Sequence, residues 1–165
     1  KGVAVQALSP HRMYRLDQVT FPGGVAGRLR QATRSDLSLA HAWGEGFAED
    51  AGAVFRTSPD VRAGWVERGD LWLWEADGHP VCMAVVAGRT RHGARIGYVY
   101  TPREHRSRGY AGALTAALSQ LMLDRGARFC VLYTDLANPT SNALYPRVGY
   151  RPLCDELEFE FVAGR

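Results

Sequence analysis

Hydrophobic and polar positions alternate in register changes that divide the chain into short strands and amphipathic helices. Val3 to Phe21 shows strand-like alternation, and after the turn Pro22-Gly23-Gly24 the segment Val25 to Thr33 alternates again. Leu37, Ala40, Trp43 and Phe47 then recur every three to four residues, predicting a helix that starts near an N-cap at Ser35, with Asp36 in its first turn, and ends at Gly52. Ser58-Pro59-Asp60 opens a second helix with Val61, Trp65 and Val66 facing inward, closed by Gly69. Leu71 to Ala76 and Val81 to Gly88 read as a hairpin around Asp77-Gly78 with both faces buried. Ala94 to Thr101 is a further strand. Leu114, Leu118, Leu121 and Met122 place a core stripe on a helix from Tyr110 to Arg125, ended by Gly126. Phe129 to Thr134 is an apolar strand, Asn138 to Val148 a short helix, and Tyr150 to Phe161 one long strand or a strand pair. Strand, loop, helix and strand between Ala94 and Asp135 form a crossover, which sets two strands parallel.

That crossover contains the most informative segment, V-Y-T-P-R-E-H-R-S-R-G-Y-A-G from Val99 to Gly112, where a strand breaks into a basic, glycine-bearing turn that opens a helix. Backbone N–H groups of such a turn and of the first helical turn converge on one spot and favour a phosphate there. Neither a Walker P-loop nor a dinucleotide Gly-x-Gly-x-x-Gly string occurs at this turn.

The turn does carry Arg-x-x-Gly-x-Ala, on Arg106, Gly109 and Ala111, and N-P-T-S-N-A-L-Y-P-R-V-G-Y-R-P follows from Asn138 to Pro152. With both segments in this order, the chain resembles the GNAT superfamily of N-acetyltransferases, most specifically from Ala94 to Phe161. The resemblance implies an α/β (α+β) fold: a mixed, mostly antiparallel sheet of six to seven strands with about four helices and a splayed parallel strand pair. It implies acetyl-CoA as cosubstrate, with the pantetheine arm along Val99, Tyr100 and Thr101 and the pyrophosphate over Arg106, Ser107, Arg108, Gly109, Tyr110 and Ala111. It assigns Asn138, and Asn142 one helical turn on, to the cofactor, and Tyr145 to the sulfur as the group that protonates the departing thiolate.

Each assignment has a plainer structural reading beside it. Tyr145 suits a packed helix end, Asn138 before Pro139 suits an N-cap, Gly109 suits a helix start, and Arg103 and His105 suit a solvated loop. No general base is evident, since the strand Arg95-Ile96-Gly97-Tyr98-Val99-Tyr100 lacks a carboxylate. Asp135, Glu45, Glu49 and Asp50 are candidates, and an acceptor of low pKa or a water chain would need none. The resemblance draws the acceptor site from the first two helices and the hairpin. There Trp43, Phe47, Phe55, Trp65, Trp72 and Trp74 read mostly as core, and the acidic residues as attracting a cationic amine.

Composition narrows the setting. The 165 residues, 46% hydrophobic and 22% charged, suit one domain at residues 25–165, with 1–24 as a linker or interdomain segment carrying a possible strand. A start at Lys1 rather than Met suggests the C-terminal domain of a longer chain. The net charge of +3 concentrates its basic cluster at Arg103, His105, Arg106 and Arg108, which favours a local anion site over a nucleic-acid face. Only Lys1 among the 20 Lys+Arg residues is lysine, a bias that suggests a bacterial genome. Cys82, Cys130 and Cys154 stand singly, without metal-ligand spacing, as reduced cytoplasmic thiols would. No apolar run reaches the roughly 18 residues that a membrane span needs. The expected activity is therefore acetyl transfer from acetyl-CoA to a primary amine of a small molecule, peptide or protein; the resemblance to a family whose members are often dimers leaves a homodimer open. Two alternatives stand beside it: a non-catalytic acyl-CoA-binding regulatory domain of a tandem protein, and a nucleotide-phosphate-binding protein.

Overall fold

A computed structural model describes residues 3–52 and 56–163. Its strands are β1 (Val3–Leu16), β2 (Arg28–Gln31), β3 (Leu71–Ala76), β4 (His79–Arg89), β5 (Gly93–Tyr100), β6 (Phe129–Asp135) and β7 (Arg151–Ala163). Its helices are α1 (Leu37–Ala51), α2 (Pro59–Glu67), α3 (Tyr110–Asp124) and α4 (Pro139–Val148). The strands form one sheet in the order β2-β3-β4-β5-β6-β1-β7, antiparallel at every pairing except β5 with β6. Among the described residues, the seven strands, four α-helices and single parallel pair agree with the fold the motifs implied.

Strand alternation sorts the hairpin side chains onto two cores. Trp72, Trp74, Cys82 and Ala84 face α3 and α4, packing with Leu114, Leu118, Met122, Tyr145 and Val148. Leu71, Leu73, Met83 and Val85 face α1 and α2, meeting Ala40, Trp65 and Val66. Burial on both faces explains why β3 and β4 read as nearly continuous apolar runs. Each fully buried leucine in these cores contributes about 1.5–3 kcal/mol. Gly46 gives α1 its close approach to β5, because a Cβ there would collide with the Tyr100 hydroxyl.

Several local expectations are corrected. The strand within residues 1–24 is an inner strand of this sheet, held between β6 and β7, and does not stand apart as an interdomain element. Its alternation places Tyr14 and Leu16 in the core, which a solvated linker would not do. β2 is shorter than Val25 to Thr33. The first helix is entered through a 3-10 turn, Arg34–Asp36, capped by Thr33, whose N–H donates to the Asp36 carboxylate at 2.7 Å; Asp36, not Ser35, is the N-cap position of α1. Arg30 donates to the same carboxylate at 2.8 Å. α2 starts as read, with Ser58 Oγ accepting from the Val61 N–H, but Val61 is 44% exposed. From Arg151 on, the segment read as Tyr150 to Phe161 is one strand, β7, and not a strand pair. Phe55 lies outside the described residues.

Candidate functional site

The parallel pair is short. β5 and β6 are in register only at Gly93–Phe129, Ala94–Cys130 and Arg95–Val131, after which they part. From Ile96 on β5 and Leu132 on β6 the facing backbone edges have no strand partner, and a cleft of about 800 Å³ opens between them. Tyr98 shapes this opening. Its φ of +51° marks a bulge, the β4–β5 register passing from Val85–Gly97 to Met83–Tyr100 with one extra residue on β5. The bulge puts Val99 on the α3/α4 core and both Tyr98 and Tyr100 on the α1/α2 core. Nothing in the residue types signals it, because a non-glycine in left-handed backbone is set by tertiary context.

Val99, Tyr100 and Thr101 line the cleft. Thr101 fixes its floor, donating from Oγ1 to Cys82 Sγ at 3.1 Å. Burial pushes the Cys82 thiol up to about 12 and Cys130 to about 11, so neither supplies a thiolate nucleophile at neutral pH.

At its end the cleft meets the turn before α3. Ser107 (φ +61°) and Gly109 (φ +81°) both adopt left-handed backbone, and a Cβ on Gly109 would press on Val25. α3 begins with the Ala113 N–H bonding to the Gly109 carbonyl at 3.0 Å. The Tyr110, Ala111 and Gly112 N–H groups have no backbone acceptor among the described residues, and all three residues line the cleft. This is a cradle for an anion, with the positive end of a fifteen-residue helix behind it.

The arginines of the turn are placed less simply. Arg106 lines the cleft, but its guanidinium pairs with Asp50 of α1 and donates through Nε to the Thr101 carbonyl at 2.9 Å. Arg103 approaches the same carboxylate at 3.7 Å. Arg108 is exposed and outside the cleft lining. Held by two guanidiniums, Asp50 is poorly placed as a general base. Glu45 is committed to Arg62 and Arg56, at 2.8 and 2.9 Å, and Glu49 lies outside the cleft. Of the base candidates, Asp50 and Asp135 line the cleft, and Asp135 accepts the Ala137 N–H at 2.7 Å.

From the other wall come Asn138 and Tyr145. Asn138 caps α4 by accepting from the Ser141 N–H at 3.1 Å, yet still lines the cleft. Asn142, paired with it on the sequence, does not. Its amide nitrogen donates to the carbonyls of Asp135, Leu136 and Asn138, and its oxygen accepts from Thr134 Oγ1 at 2.7 Å and Tyr14 at 3.1 Å. It shapes the turn that presents Asn138 and has no group left for a ligand. Tyr145 is 6% exposed, packs its ring between Tyr14 and Tyr150, and reaches the cleft. Its hydroxyl makes no hydrogen bond among the described residues. Burial, then the neighbouring Cys82, raises its pKa above the ordinary phenol value, so the proton stays on at neutral pH.

A family model for the acetyltransferase (GNAT) family matches residues 38–150, spanning the cleft, cradle and α4. The chain belongs to the GNAT acetyltransferase family. Solved GNAT structures share its fold. A GCN5-related N-acetyltransferase from Kribbella flavida superposes with a TM-score of 0.71 at 22% identity, covering 97% of this chain and 61% of that one. A GNAT acetyltransferase from Colwellia psychrerythraea gives 0.70 at 13% identity, covering 94% and 56%. A shorter GCN5-related N-acetyltransferase from Ralstonia eutropha gives 0.59 at 24% identity, covering 76% and 93%. The chain thus spans about half to two thirds of the length of the longer structures it matches. A search of curated proteins finds no match. No helix among the described residues is long and apolar enough to cross a membrane.

Proposed function

We propose that this GNAT domain transfers an acetyl group from acetyl-CoA to a primary amine. The observation that carries the reading is the continuity of two features: unpaired edges of β5 and β6 lead directly into the unpaired N–H groups at the start of α3. A pantetheine arm carries amides that pair with an open strand edge, and a pyrophosphate suits converging N–H donors. Along Val99–Thr101 and over Ser107–Ala111 the residues fit that ligand, with Asn138 on the opposite wall. Acetyl-CoA brings the activated thioester. The protein's part is to hold it beside the amine and exclude water.

Tyr145 is the acid in this reading. Kept protonated by burial, its hydroxyl donates a hydrogen bond to the departing sulfur and delivers the proton as the C–S bond breaks. Asn142 stabilises the site from behind by fixing Asn138. A bacterial cytoplasmic setting and a homodimer belong to the same proposal.

The test is release of free CoA thiol from acetyl-CoA over a panel of primary amines, with mass-spectrometric identification of the N-acetyl product. Tyr145→Phe should lower kcat by about ten- to a hundredfold while leaving acetyl-CoA affinity intact. A Tyr145→Phe variant with wild-type kcat would remove the assignment.

A further inference from the structure

The cleft has a second chemical feature, on the face of the sheet away from α3 and α4. Leu132 and Thr134 are buried, so strand alternation turns Tyr133 and Asp135 to the opposite face. β1 lies between β6 and β7 in a register that sets His11 directly opposite Asp135 on one side and Glu156 on the other. Directly opposed residues of antiparallel strands share a face with Cβ atoms about 4.5–5.5 Å apart. Three adjacent strands therefore present a carboxylate, an imidazole and a carboxylate in one row. His11, Asp135 and Tyr133 all line the cleft, and Tyr133 lies within electrostatic range of Glu156, Arg95 and Cys154. Phe47, Tyr98 and Tyr100 face the row across the opening, Phe47 and Tyr98 with ring centroids 5.3 Å apart.

Resting on the acetyltransferase reading, we infer that this row is the acceptor subsite: it takes a primary ammonium on a flat apolar body, and His11 accepts the amine's proton. The carboxylates attract the cation, the aromatic wall takes the apolar body, and the imidazole is the side chain suited to moving a proton near neutral pH. The ammonium gives one proton to His11, which passes it to solvent. The neutral nitrogen then attacks the acetyl carbon, forming the C–N bond. As the tetrahedral intermediate collapses the C–S bond breaks, the nitrogen gives its second proton to His11, which is neutral again, and the sulfur takes one from Tyr145, whose phenolate is reprotonated from solvent. The charged and titratable groups facing His11 are Asp135 from β6, Glu156 and Cys154 from β7, and Tyr133 and Arg95 on the flanks. This supplies the base missing from β5.

Phenethylamine is the probe, acetylated by the full chain with thiol release followed from about pH 6 to about pH 9, and calorimetry of acetyl-CoA run on every variant. The wild type should acetylate it at a rate that rises with pH. His11→Gln should lose about a hundredfold or more in kcat/KM and lose that rise, with acetyl-CoA affinity unchanged. Asp135→Asn and Glu156→Gln should raise KM for the amine several-fold with smaller changes in kcat. A His11→Gln enzyme that binds acetyl-CoA and keeps the wild-type rate and pH profile would overturn the proton role. A wild type that binds acetyl-CoA but does not acetylate phenethylamine would overturn the acceptor class. Failure to bind acetyl-CoA at all is the distinct failure of the underlying acetyltransferase reading, and takes this inference with it.

Discussion

Arg106 on the anion turn pairs with Asp50 at the end of α1, so that helix is tied to the turn that opens α3. The same guanidinium holds the Thr101 carbonyl, which joins the tie to the cleft floor. In the proposed acetyl-CoA complex, a pyrophosphate entering the cradle would compete with Asp50 for this cation.

Removing that competitor should strengthen cofactor binding. Asp50→Asn keeps the shape and deletes the charge; acetyl-CoA affinity should rise about two- to fivefold, the scale of a partly exposed ion pair. Isothermal titration at low salt reads the change, which should shrink as salt is added. Weaker binding by Asp50→Asn would mean that Asp50 orients Arg106 for the ligand and does not oppose it.

Asn142 answers to a stability measurement. Asn142→Ala leaves buried Thr134 without the partner its hydroxyl now donates to, and frees three carbonyls of the turn into α4. The expected cost is about 2–4 kcal/mol, or a Tm lower by about 5–15 °C in a domain of this size. Denaturant and thermal unfolding check it. A variant as stable as the wild type would contradict the structural role and return Asn142 to the candidates for ligand contact.

Much of this arrangement was legible in the residue pattern, and the limits have physical causes. Strand, turn and helix around Gly109 were readable because a tight turn into an amphipathic helix leaves both a glycine and a 3.6-residue period. Asn142 misled because a four-residue spacing fixes which helix face a residue shares, not whether its amide is already taken by backbone. Arg108 misled similarly: a basic residue in an anion turn can still point to solvent. The strand carrying His11 was legible in the alternation of Val3 to Phe21, but its place beside Asp135 and Glu156 was not, since pairing with strands more than a hundred residues away leaves no local trace. Tyr98's bulge is likewise a product of the β4–β5 register.

The entry to α1 should carry an acid-sensitive part of the stability. Arg30, then the Thr33 N–H, holds the Asp36 carboxyl at about 2, below its ordinary value of 3.8. A depressed folded-state pKa gives stability that is present above the unfolded value and lost as pH falls through the folded one. The loss should therefore develop from about pH 4 down to about pH 2 and amount to about 2 kcal/mol. Unfolding free energies across this range should fall more steeply for the wild type than for Asp36→Asn. Parallel curves would show that Asp36 is not the group responsible.

The central claim is that acetyl-CoA lies along β5 with its pyrophosphate in the α3 cradle, and one calorimetric comparison tests it most directly. Ala111 lines the cleft in the first turn of α3, where a glutamate favours the helix but repels a phosphate. Wild type should bind acetyl-CoA at a single site with micromolar affinity, and Ala111→Glu, folded to the same Tm, should bind at least about tenfold more weakly. Equal affinity in the two proteins, or no binding by the wild type, would contradict the claim.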